Sequence, residues 1–124
     1  MPTLLFLYGT LRPDRAPAEI APVARRLAPM AHGTIQARLY DLGAYPGVIL
    51  SDEADATAPE VPGEVFRVPD AATLAVLDRY EDYRPADPAA SLFLRTKAVV
   101  TLDDGSCQTC WVYVYNGPPP RDPA

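Results

Sequence analysis

Apolar positions recur along this chain with two different periods, and each period predicts a different kind of element. Residues 4–8 are an unbroken run of leucine, phenylalanine and tyrosine, the pattern of a strand covered on both faces. Gly9 follows directly, where the backbone can adopt a positive φ or admit a ligand at close range. Over residues 34–40, Ile35, Ala37 and Leu39 alternate with Thr34, Gln36 and Arg38, the period of a half-buried strand. Residues 45–50 and 61–68 read as further short strands. Residues 91–101 and 107–115 read as two more, folded into an antiparallel hairpin by the turn at Asp103, Asp104, Gly105 and Ser106.

Helical spacing appears twice. Ile20, Val23, Leu27 and Met30 predict one short or kinked helix over residues 18–31, interrupted by Pro22 and stopped near Gly33. Residues 71–81 form a second helix with Asp70 as N-cap, and Pro85 closes it. A turn is expected at 41–43, an exposed acidic loop at 51–60, and a loose tail at 118–124 after a single domain spanning 1–117. About six strands against two main helices is an α+β count, and the strand-rich majority can curl into a partly closed barrel.

Composition narrows the function. The chain has 124 residues, 48% of them hydrophobic, which is one domain with a core of its own. A net charge of −5, with 11 basic residues dispersed along the chain, argues against nucleic acid and for a small-molecule ligand. No apolar run approaches the ~20 residues of a membrane-spanning helix. No basic segment precedes a signal-like stretch either, so no membrane partner and a cytoplasmic location are expected.

Cys107 and Cys110 have C-x-x-C spacing, but an odd offset on a strand points them to opposite faces. His32 is the only histidine, so no metal site is expected, and no histidine-dependent nucleophile unless His32 serves. His32, beside Gly33, reads as a surface residue and the two cysteines as ordinary thiols.

Two places carry chemistry. The turn at Gly9 and Thr10 either merely ends the strand or presents successive N–H groups to an anion. Leu74, Leu77 and Glu81 stand at i, i+3 and i+7, so a helix that reaches Glu81 points a carboxylate inward; a helix that frays earlier leaves Tyr80, Glu81 and Asp82 in solvent. If inward, Glu81 is raised by desolvation, by the negative helix end, and by the like charges of Asp78 and Asp82, unless Arg84 or Arg95 cancels them. A carboxyl tuned toward neutrality can take and return a proton.

Together, "YGTLR" at 8–12, "LYDLGAYPGVI" at 39–49, "GEVFRV" at 63–68, "LDRYEDY" at 77–83, "LFLR" at 92–95 and "WVYVYNG" at 111–117 resemble the γ-glutamylcyclotransferase-like family, also called AIG2-like. The resemblance implies a small mixed β-barrel with helices packed on it and a pocket between the loop and the helix end. Glu81 would be the acid-base residue. Tyr8, Gly9, Thr10, Leu11 and Tyr115 would bind substrate, with Tyr113 the alternative to Tyr115 on the same strand face. It implies a reaction without cofactor, in which the α-amine of a γ-glutamyl amide attacks its own γ-carbonyl and releases 5-oxoproline and an amine. One departure stands out: many relatives carry tyrosine two residues before the arginine of the strand after the helix, whereas here the pair is Phe93 and Arg95. Two other functions fit the same pattern, a non-catalytic small-molecule binding module and a cyclotransferase acting on a γ-glutamylated biosynthetic intermediate.

Overall fold

Strand β1 (Thr3–Leu7) has no polar face to offer water, and it lies inside the sheet with a strand on each side. The computed structural model describes residues 3–8, 18, 20–41, 46–50 and 59–117. Within them the elements follow as α1 (Ala21–Ala24), β2 (Ala28–Asp41), β3 (Pro46–Leu50), β4 (Glu60–Val68), α2 (Ala71–Tyr80), a 3₁₀ turn (Pro88–Ala90), β5 (Phe93–Leu102) and β6 (Cys107–Tyr115). The strand order is β3-β2-β4-β1-β6-β5, and β5 returns to pair with β2. Five strands thereby close into a barrel and β3 extends it at β2. β1 runs parallel to β6 and antiparallel to β4, so the barrel is mixed.

Alternation along β1 sorts two cores. Phe6 points into the barrel with Ile35, Val48, Val65, Val100 and Val112. Leu5 and Leu7 point outward and pack with Phe66, Phe93 and Tyr113 beneath the helices, where they meet Ile20, Leu27 and Leu77. Leu5, Phe6 and Leu7 are 0%, 0% and 2% exposed, which bears out the reading of a strand covered on both sides.

The first helix is shorter than its spacing suggests. α1 ends at Ala24, and Ala28 to Ala31, expected as helix, is the start of a 14-residue strand. Pairing with β4 overrides the alanine-rich local preference there, with a register shift between Pro29 and Ala31 that accommodates a proline in the ladder. Met30 is accordingly exposed, and His32 lies on the strand surface, 4.0 Å from Glu64. The 107–115 hairpin arm leaves Cys107 exposed and Cys110 buried, on opposite faces as the odd offset requires.

α2 begins as its sequence dictates. The Asp70 side chain accepts from the Thr73 N–H at 2.8 Å and is held below the usual carboxylate range by the Thr73 hydrogen bonds. Replacing Asp70 by alanine is expected to destabilise the start of α2, read as a lower urea midpoint with an unchanged m-value. The tail at 118–124, the turn at 42–45 and the loop at 51–58 lie outside the described residues.

Candidate active site

The end of α2 is closed rather than frayed. Asp82 adopts a left-handed conformation with φ 56°, its N–H donates to the Arg79 carbonyl at 3.1 Å, and the Tyr83 N–H donates to the Asp78 carbonyl at 2.8 Å. This is a Schellman turn, with aspartate where glycine is usual. It makes Glu81 the C-cap, with its own N–H on the Leu77 carbonyl at 3.0 Å. The chain leaving the turn is latched in the same way: Ser91 Oγ accepts the Arg84 N–H at 2.7 Å, the Leu92 N–H reaches the Asp82 carbonyl, and Asn116 Nδ2 donates to the Ser91 carbonyl at 2.9 Å.

Glu81 therefore sits at a fixed place, half-buried. Burial pushes its carboxyl up to about 7. The two arginines that could have cancelled this are committed elsewhere. Arg84 pairs with Asp82 at 3.1 Å, and Arg95 Nε and Nη2 reach the two Asp78 oxygens at 2.9 and 3.3 Å. Of the causes expected from the sequence, desolvation by burial is the one that accounts for the shift. Among the described residues, no hydrogen bond or ion pair reaches the Glu81 carboxylate.

Asp78 is the residue the sequence reading misjudged. Taken there only as a like charge, it is 6% exposed and also accepts from the Tyr113 hydroxyl at 2.7 Å. Arg95 lies over the Trp111 ring at 4.5 Å and near that of Tyr83 at 5.6 Å. The available signal was position: Asp78 is one place from Leu77 and three before Glu81, on the same inward stripe.

Tyr8 follows β1 and points its phenol into the barrel mouth. Its hydroxyl donates to the Tyr113 carbonyl at 2.6 Å and accepts the Val48 N–H at 3.2 Å, joining β1, β6 and β3 at one atom. Burial raises the Tyr8 phenol well above the usual tyrosine range, the Val48 N–H opposes this, and the Glu81 charge adds to it. The Tyr113 phenol is raised too, by burial first, then by its hydrogen bond to Asp78 and the charges of Asp78 and Glu81, against Arg95. Tyr8, Tyr113 and Glu81 thus share one electrostatic neighbourhood. Tyr115, on the same face as Tyr113, packs edge-on against Phe93 with ring centroids 6.1 Å apart and passes close to Gly117. Gly9, Thr10 and Leu11 lie outside the described residues, as do Arg12 and Tyr45.

The arrangement offers a carboxyl able to exchange protons near neutrality, beside the point where β1 enters the segment that begins at Gly9. No helix among the described residues is long and apolar enough to cross a membrane.

Comparison with known proteins places this geometry. The family described as gamma-glutamyl cyclotransferase, AIG2-like, matches residues 5–124. No curated protein matches the chain. Among solved structures, an AIG2-like protein from Mus musculus superposes with a TM-score of 0.71 at 22% identity, covering 95% of this chain and 80% of that one. YkqA from Bacillus subtilis gives 0.68 at 23% identity over 94% of this chain, which spans only 36% of that protein's length. A protein named gamma-glutamyl cyclotransferase gives 0.65 at 16% identity, covering 93% and 67% of the two chains. At these identities the likeness is one of fold, and it bears out the small mixed barrel with two helices.

Proposed function

The chain belongs to the gamma-glutamyl cyclotransferase, AIG2-like family, and from that premise we propose that it is a γ-glutamylamine cyclotransferase with Glu81 as its acid-base residue. The observation that carries the reading is the Glu81 carboxyl, fixed at a closed helix end, without a cationic partner among the described residues, and pushed by burial up to about 7. A group with that proton affinity suits both halves of an amide-to-lactam exchange at neutral pH.

The substrate supplies its own nucleophile, so no serine or cysteine is required. Its α-amine arrives as an ammonium and loses a proton to the Glu81 carboxylate. The free amine nitrogen attacks the γ-carbonyl carbon, forming the ring C–N bond. Glu81 returns the proton to the amide nitrogen, whose bond to the γ-carbon then breaks. The ring nitrogen, still carrying one proton too many, gives it to Glu81, from which the departing amine takes it. The products are 5-oxoproline and a protonated amine, with the carboxylate regenerated. Ring closure is intramolecular, so holding the glutamyl chain folded supplies much of the rate. Backbone N–H groups of the turn at Gly9, Thr10 and Leu11 are the proposed grip on the substrate α-carboxylate. Tyr8, the residue before Gly9, is held through Tyr113 and Val48. Tyr115 is the proposed further wall of the substrate site.

The test is 5-oxoproline and free-amine release from a panel of γ-glutamyl amines and γ-glutamyl dipeptides. Stoichiometric release of both products from at least one amine is the expected result and names the leaving group. No release from any member, with γ-glutamyl ligands still binding, would overturn the reading in favour of a binding module.

A further inference from the structure

Asp78 and Arg95 form a nearly buried ion pair one helical turn from Glu81, with side chains 9% and 16% exposed, and the proposed reaction uses neither. Such a pair is expensive to desolvate, and apolar residues of similar size would hold the helix as well. Its position suggests a reason for it. An uncompensated Asp78 anion at i−3 would stand about 5–6 Å from Glu81 between Cβ atoms, and an uncompensated Arg95 cation would stand in the neighbourhood of Tyr113, on which Asp78, Glu81 and Arg95 all act. Bound two-pronged, with the Arg95 guanidinium 4.5 Å over the Trp111 ring, the two charges oppose each other in a fixed geometry.

The third member ties this pair to the rest of the site. Tyr113 donates its hydroxyl to Asp78 and accepts the Tyr8 hydroxyl at its carbonyl. One residue of β6 therefore fixes both the helix turn that ends in Glu81 and the residue that opens the Gly9 turn. We propose that Asp78, Arg95 and Tyr113 are a positioning unit that sets where Glu81 sits relative to Tyr8 and presents it with a balanced ion pair rather than a lone charge. This rests on the reading of Glu81 as the acid-base residue.

The groups facing Glu81 fix what should happen when the unit is broken. On its own helix and the turn after it are Asp78, Asp82, Tyr83 and Arg84, with Arg84 already paired to Asp82. Just after β1 comes Tyr8 and from β6 Tyr113, both under the Glu81 charge, and Arg95 of β5 acts on Tyr113; Arg26 near α1 acts on Asp70 at the far end of the helix. Asp78→Asn leaves the Arg95 cation uncompensated and should lower the Glu81 midpoint by about one pH unit. Arg95→Gln leaves the Asp78 anion and should raise it by about as much. The double variant should return near the wild-type midpoint. Tyr113→Phe keeps the charges balanced, so the midpoint should hold while KM rises more than kcat falls, through loss of register between Glu81 and Tyr8.

The experiment is a carbon-13 NMR titration of the Glu81 carboxyl in the intact chain for the wild type, the two single variants and the double variant. Opposite shifts that cancel in the double variant bear the proposal out. Equal shifts in the same direction, or none in a folded single variant, overturn it. If one single variant fails to fold, the other and the double variant still decide by the same sign rule. Because the titration needs no substrate, a chain without cyclotransferase turnover would refute the proposed function and leave this result standing.

Discussion

Replacing Glu81 by glutamine is expected to cut 5-oxoproline formation by about a thousandfold, the middle of the range for a positioned acid-base group, and at the same time to stabilise the protein above neutral pH. The two effects have one origin. The folded protein holds the Glu81 proton up to about pH 7, whereas the unfolded chain releases it near the ordinary glutamate value of 4.5. Between those values the native state binds more protons than the unfolded state, so stability falls as pH rises through that window. Above pH 7 the ionised, half-buried carboxylate costs roughly 3 kcal/mol at most, less whatever solvent screens at its exposed edge. Glutamine keeps the shape without the charge. Melting of wild type and variant should therefore coincide at pH 4 and separate at pH 8, with the variant higher. A variant less stable than wild type at pH 8 would mean that the carboxylate is well solvated and that its raised proton affinity is not real.

Gly33→Val is expected to be a severely damaging change to the fold. Gly33 pairs with Gly63 of β4 and with Leu102 of β5, at the crossing where the barrel closes. A Cβ there would lie 2.6 Å from the Thr101 carbonyl oxygen and 2.8 Å from Val100 Cγ1. Backbone on one side and a fully buried side chain on the other leave little to yield, so the seam must open. The expected cost is about 3 kcal/mol, a fall in Tm of roughly 10 °C for a domain of this size. An unchanged Tm would show that the β2–β5 contact is not what closes the barrel. Fluorescence of Trp111, whose ring packs on Arg95 and Lys97, reports whether the β5–β6 hairpin survives when that seam is broken.

Much of this arrangement was legible where local chemistry and tertiary demand agree. The apolar run of β1, the Asp70 cap and the Asp103 to Ser106 turn, where Gly105 takes φ 88°, each announce themselves within a few residues. Residues 28–31 do not, because alanine and methionine favour a helix and only the partner strand β4 makes them extended. The inward register of Glu81 could be read from Leu74 and Leu77, but the closure of the helix end could not, since aspartate at a left-handed position is no clear stop signal. The partner of Asp78 was beyond local reach altogether. It depends on the β5–β6 register that sets Arg95 opposite Tyr113, and then on α2 lying across both.

The most direct test of the central claim is the pH–rate profile of 5-oxoproline release, measured for wild type and Glu81→Gln on one γ-glutamyl amine. If Glu81 accepts the first proton, the wild-type rate should rise about tenfold per pH unit and level near the carboxyl's midpoint of about 7. The variant should show neither the rate nor that limb. A variant that keeps the wild-type rate and the same limb near pH 7 would contradict the account, and would place the proton transfer on a group other than Glu81.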